Sequence, residues 1–148
     1  MFAPKRILVP TDFSDDSDVA LKQALELAKQ YNSKVYLLHV VEPVTQCAGD
    51  YCLDTANVKE IEASDIKHSE DMMRRELEKY AEIQGVEVIS DIREGDPVDE
   101  IIKEQEERGV DLMVMPSHGK TNFLKRLAGN ISEKIMEETK SPVLLVKH

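Results

Sequence analysis

The chain has 148 residues, 41% of them apolar and 32% charged, and a net charge of -10. That length fits a single domain, residues 1–148, with room for a hydrophobic core. The acidic balance argues against nucleic acid as a partner, because the overall field repels phosphate, and no apolar run is long enough to span a membrane. The N-terminal MFAPKRILVP carries an apolar run too short for a signal peptide, so the expected location is the cytoplasm.

Lys5 to Pro10, KRILVP, is a short apolar run ending on proline and is predicted as a buried strand. Thr11-Asp12-Phe13-Ser14-Asp15 is rich in capping residues, and a helix is expected from Asp15 to Tyr31. Val19, Leu21, Ala24, Leu25 and Ala28 form its apolar stripe, and Asn32-Ser33 breaks it. Lys34 to Val41, KVYLLHVV, is a second apolar strand, closed by Glu42-Pro43. Val44 to Thr55 is read as irregular. Cys47 and Cys52 lie there without CxxC spacing or nearby zinc ligands, as free thiols in one loop or, under oxidant, a local disulfide.

A long charged helix is expected over Ala56 to Gln84, with Ile61, Ile66, Met73, Leu77 and Tyr80 on one side and Gly85 as its C-cap. Val86 to Arg93 alternates, as a strand with one more exposed face does. Gly95-Asp96-Pro97 opens the next helix, with Asp96 as cap and Pro97 in the first helical position. Val98, Ile101 and Ile102 are its stripe, and Gly109 ends it. Asp111 to Met115 is the fourth strand, Asn130 to Thr139 the last helix and Pro142 to Val146 the fifth strand.

This alternation of apolar strands with helices predicts an α/β three-layer sandwich, a parallel sheet covered by helices on both faces. Ligands of such sheets favour the crevice beyond the strand C-terminal ends, at the topological switch. Two loops carry suitable chemistry for that edge: Pro10-Thr11-Asp12, and Pro116 to Asn130. In the second, Ser117, His118 and Gly119 are followed by Gly129 and by Asn130, which can cap a helix with Glu133 as its capping-box partner. A small-residue loop running into a helix start suits phosphate, and Lys120, Lys125 and Arg126 add cations. Each residue also has an ordinary reading. The whole connection can bind nothing, Asp12 can be a helix-capping carboxylate, and His118 can be a loop residue bonded to backbone. His39 is read as a satisfied core histidine, and His68 and His148 as surface residues.

At these residues the chain resembles the universal stress protein family. The likeness rests on ILVPTDFSDDSDVALKQALELAKQ, on VYLLHVVEP, and on EGDPVDEIIKEQEERGVDLMVMPSHGKTNFLKRLAGNISEKIMEETKSPVLLVKH. It implies a Rossmann-like five-stranded parallel sheet of order 3-2-1-4-5, a cytoplasmic homodimer, and ATP bound between the first and fourth strand loops. The positions so implied are Pro10, Thr11, Asp12, Val40, Met115, Pro116, Ser117, His118, Gly119, Gly129, Asn130, Ile131 and Ser132. Asp12 matches a family aspartate near the base or ribose, and Val40 a position whose backbone meets the base. In the ATP-binding members the second loop carries three spaced glycines and then Ser or Thr. Gly119 and Gly129 match, whereas Pro116 replaces the first glycine and Asn130 the hydroxyl residue. Where that loop geometry limits binding, Pro116→Gly is expected to tighten it.

Three functions compete at this point. The first is a nucleotide-binding stress-response module that takes ATP, with magnesium on the phosphates. The second is a dimeric interaction protein with a degenerate pocket. The third, ranked last, is a slow ATPase or phosphoryl transferase. The sequence has no P-loop ending in GK[ST] and no paired carboxylates at a credible site, so no catalytic or metal-binding residue is assigned. The expected dimer forms through strand 142–146. In the implied order this apolar strand lies at the sheet edge, where unpaired backbone groups invite a second copy.

Overall fold

Apolar strands separated by well-capped helices build one five-stranded sheet in the order β5-β2-β1-β6-β7. The strands are β1 (Arg6–Pro10), β2 (Lys34–Val41), β5 (Glu87–Glu94), β6 (Leu112–Pro116) and β7 (Val143–Val146). All four pairings are parallel, which is the order and sense expected of the family. The computed structural model describes residues 2–43, 47–48, 51–52, 55–80, 85–117 and 132–147.

Local chemistry sets the helix ends. Helix α1 (Asp15–Tyr31) starts at Ser14, whose side chain accepts from the Ser17 amide, and stops at Asn32, which takes the left-handed conformation at φ 55°. Helix α3 (Pro97–Arg108) follows the sequence reading closely. Asp96 accepts from the Asp99 amide, Pro97 opens the first turn, and Gly109 closes the helix at φ 61°. The remaining described helices are α2 (Thr55–Lys79) and α4 (Ser132–Glu138).

Strand alternation sorts the core into two layers. Ile7, Val9, Val35, Leu37 and Val114 point to one face, where Ala20, Leu21, Ala24, Leu25 and Ala28 of α1 and Met73 of α2 cover them. Leu8, Tyr36, Leu38, Val40, Met113 and Met115 point to the other, under Val98 and Ile101 of α3 and Ile135 of α4. The central strands are therefore buried on both sides and read as continuous apolar runs. Burying a leucine such as Leu25 or Leu37 stabilises the fold by about 1.5–3 kcal/mol.

Two expectations need correction. The segment 44–55, expected to be irregular, contains a short antiparallel pair, β3 (Cys47–Ala48) with β4 (Tyr51–Cys52), in which Cys47 and Cys52 are register partners. Each strand is only two residues long, too short for an alternating pattern to show in the sequence. In α2, Ile61 is exposed, not part of a buried stripe, and among the described side chains Met73, Leu77 and, just past the helix end, Tyr80 carry the packing against the core. The expected last turn of that helix, 81–84, lies outside the described residues, as do Asn130 and Ile131 at the expected start of the last helix.

Candidate functional site

Strand β1 stands at the point where the chain reverses direction across the sheet, with β2 on one side and β6 on the other. The C-terminal ends of β1 and β6 form the crevice that a switch point provides. Both strands end on proline, Pro10 and Pro116. Immediately after each proline the ladder resumes, but toward the outer neighbour. The Thr11 amide donates to Leu38 O at 2.8 Å, and the Ser117 amide donates to Val146 O at 2.9 Å. The two loops thus leave the sheet bonded to opposite sides.

The first loop is held from three directions. Asp12 Oδ1 accepts from the Ser14 amide at 3.0 Å and from Ser17 Oγ at 2.6 Å. Thr11 Oγ1 accepts from the Phe13 amide at 3.0 Å. Phe13 adopts φ 63°, a backbone region that bulky residues avoid. Its ring lies 4.6 Å from that of His39. His39 Nδ1 is 2.7 Å from Thr11 O, and because a carbonyl can only accept, Nδ1 carries the proton and donates it. Burial lowers the His39 pKa, against opposition from the Thr11 bond and the Asp12 charge. His39 is therefore a half-buried, hydrogen-bonded histidine that braces the loop.

Asp12 keeps both of its sequence readings, since it is a buried carboxylate beside the crevice that also supports the start of α1. Val40 and Met115 share the apolar cluster on the α3 face, at the same end of the sheet. Pro10, Thr11, Asp12, Val40, Met115, Pro116 and Ser117 are thus brought to one edge. Ser117 Oγ is buried there and has no hydrogen-bond partner among the described residues. Ser132 opens α4. His118, Gly119, Gly129, Asn130 and Ile131, with the cations Lys120, Lys125 and Arg126, lie outside the described residues.

Sequence reasoning missed Ser17 and Phe13 as parts of this edge. Ser17 sits inside an ordinary capping region, and no spacing rule links a serine five residues on to the carboxylate it holds. Phe13 gave a weak signal, a bulky residue in a short capping segment, but its backbone conformation is a tertiary outcome.

Comparison with known proteins agrees with this geometry. The model of the universal stress protein family matches residues 4–147. Universal stress protein MJ0531 of Methanocaldococcus jannaschii is 34% identical over 143 residues, spanning 97% of this chain and 82% of that protein. The solved structure of MJ0577 superposes with a TM-score of 0.78 at 29% identity, covering 99% of this chain and 98% of that one. A universal stress protein from Archaeoglobus fulgidus, solved in complex with dAMP, shares the fold at a TM-score of 0.69 and 19% identity, covering 99% of this chain and 100% of its own. With the strand order, the switch-point crevice and a family match along nearly its whole length, this chain belongs to the universal stress protein family.

Proposed function

We propose that the crevice between Pro10–Asp12 and Pro116–Ser117 binds an adenine nucleotide, with ATP as the expected ligand, and that the protein serves as a nucleotide-binding stress-response module in the cytoplasm. The observation that carries this reading is Ser117 Oγ, a buried hydroxyl without a described partner just past the C-terminal end of β6. An orphaned buried hydroxyl costs free energy that a ligand oxygen or nitrogen would recover. The dAMP complex of the Archaeoglobus fulgidus protein supports the same ligand class on this fold. His118, Gly119, Gly129, Asn130 and Ile131 belong to the segment that would wrap the phosphates. Magnesium, where present, would ride on those phosphates.

Calorimetry with ATP, ADP and AMP, with and without magnesium, tests this. Heat of binding and a raised melting temperature are expected with ATP, and neither at millimolar nucleotide rejects the reading. What then remains is a dimeric interaction protein with a degenerate pocket. Phosphate released during the titration would add slow hydrolysis to binding.

The same reading includes a homodimer through β7. That strand is a sheet edge, and Leu144 and Leu145 expose 37% and 40% of their surface there. Antiparallel pairing of two copies would satisfy both edges and cover these side chains. A dimer mass in light scattering at tens of micromolar is expected, and Leu144→Asp should return it to the monomer mass.

A further inference from the structure

The pairing between β1 and β6 stops early. Its register contains Ile7↔Leu112 and Leu8↔Met113, whereas β1 pairs with β2 as far as Pro10, and β6 with β7 as far as Pro116. Hydrogen-bond parity explains why. The Lys34 amide donates to Lys5 O and the Thr11 amide to Leu38 O, so odd-numbered residues of β1 face β2. The even-numbered ones, ending at Pro10, face β6. The Met113 amide donates to Pro142 O and the Ser117 amide to Val146 O, so odd-numbered residues of β6 face β7. Its even-numbered residues, ending at Pro116, face β1.

A parallel ladder in this register continues with two further rungs. The amide of residue 10 would donate to Val114 O, and the amide of residue 116 would donate to Pro10 O. Both donors are proline nitrogens, which carry no hydrogen. A ring Cδ stands in the place of each amide hydrogen, and carbon against oxygen requires a wider separation than a hydrogen bond. A proline on either strand alone would remove one rung. The pair removes consecutive rungs on the same seam, at the edge where the loops diverge.

We infer that Pro10 and Pro116 are positioning residues that unzip the β1–β6 seam and hold the crevice open for its ligand. The last step rests on the nucleotide reading above, and the unzipping does not. It also assigns Pro116 a role opposite to a damaged glycine position, because restoring an N–H at 116 would draw the strands together.

The variants Pro10→Ala, Pro116→Ala and the double variant test this without ligand first. Hydrogen exchange followed by NMR should find the new amides of residues 10 and 116 protected, with the double variant melting no lower than the parent. Exchange at loop rates at both positions would overturn the inference, whatever nucleotide does. ATP affinity of the double variant should then fall about tenfold, the cost of reopening two rungs. Unchanged or tighter ATP binding by Pro116→Ala and Pro116→Gly would also overturn it. Protected amides, with no nucleotide bound by parent or variants, would support the unzipping and reject the nucleotide reading.

Discussion

Two buried glutamates, one under each helical layer, differ in the company they keep. On the α3 face Glu104 is fully buried, with Arg93 Nε at 2.7 Å and Arg108 Nε at 2.9 Å. Arg93 reaches Glu100 at 3.3 Å and also contacts Glu107, and Arg108 pairs with Asp91 at 3.3 Å and lies over the Tyr36 ring. Burial alone would lower the Arg93 pKa, but its bonds to Glu104 and Glu107 outweigh that and raise it. On the α1–α2 face Glu76 is 6% exposed, and its charged neighbours are Asp18 and Lys79. The Lys79 ammonium is 3.7 Å from Glu76 and 2.6 Å from Asp18, on a side chain that is 56% exposed.

The contrast shows what a buried carboxylate needs. Glu104 has two guanidinium forks and stays inside as part of a network. Glu76 has a second carboxylate and one wet ammonium. Burial, then the bond and charge of Asp18, push its pKa up to about 7, against the pull of Lys79. Asp18 Oδ1 and Glu76 Oε2 are both buried without described hydrogen-bond partners. A proton on the Glu76 carboxyl would give it a donor to offer Asp18. A cavity of about 220 Å³, lined by Leu21, Leu25, Leu37, Leu77, Tyr80, Val86 and Val88, adjoins Glu76 and adds no cation.

Breaking the guanidinium side should have the largest effect. Arg93→Met leaves Glu104 with one partner and should cost about 3 kcal/mol in urea unfolding. A loss below about 1 kcal/mol would mean that Arg108 alone suffices and that the contrast is overstated.

On the other face the sign depends on pH. The folded state binds a proton at Glu76 that the unfolded chain, near the ordinary value of 4.5, releases. This contribution is therefore fully present below pH 4.5 and is lost as pH rises to about 7. Glu76→Gln keeps a neutral group there. It should flatten the stability profile across that window and stabilise the protein at pH 8 by about 1–3 kcal/mol, with little change at low pH. Urea midpoints across the range check this, and parallel profiles for the two proteins would rule out the bound proton.

Asp18→Asn should act in the same direction by removing the like charge. The Glu76 carboxyl resonance in carbon NMR should then titrate at a lower pH than in the parent. Lys79→Ala should have the smallest effect, within about 0.5 kcal/mol, because an exposed ammonium contributes little. A larger loss would show that the pair is held by Lys79 and not by a proton.

Much of the fold is legible in the sequence. Apolar runs bounded by Pro10, Pro43 and Gly109, and the Asp96-Pro97 start of α3, depend on neighbours within a few residues, so periodicity and capping rules reach them. The hairpin of Cys47 and Cys52 escaped because its strands are too short to show a period. At the candidate site, Asp12 and Ser117 follow from loop chemistry at the strand ends, and Val40 and Met115 from the resemblance. The braces on the first loop, Ser17 and the His39–Phe13 contact, do not, because His39 lies on a different strand.

The sequence by itself determined the five strands of the main sheet, the capped starts of α1 and α3, and that β1 and β6 end on proline. All of these follow from the covalent chain and its near neighbours. Only the tertiary structure decided that the two prolines face one seam, that Ser117 Oγ is buried without a described partner, and that Glu76 meets Asp18 while Glu104 meets two arginines. Those outcomes depend on register and packing between residues as far apart as Pro10 and Pro116. The direction of a backbone N–H, or the company of a buried carboxylate, is set by the partner strand or helix, which local sequence does not specify.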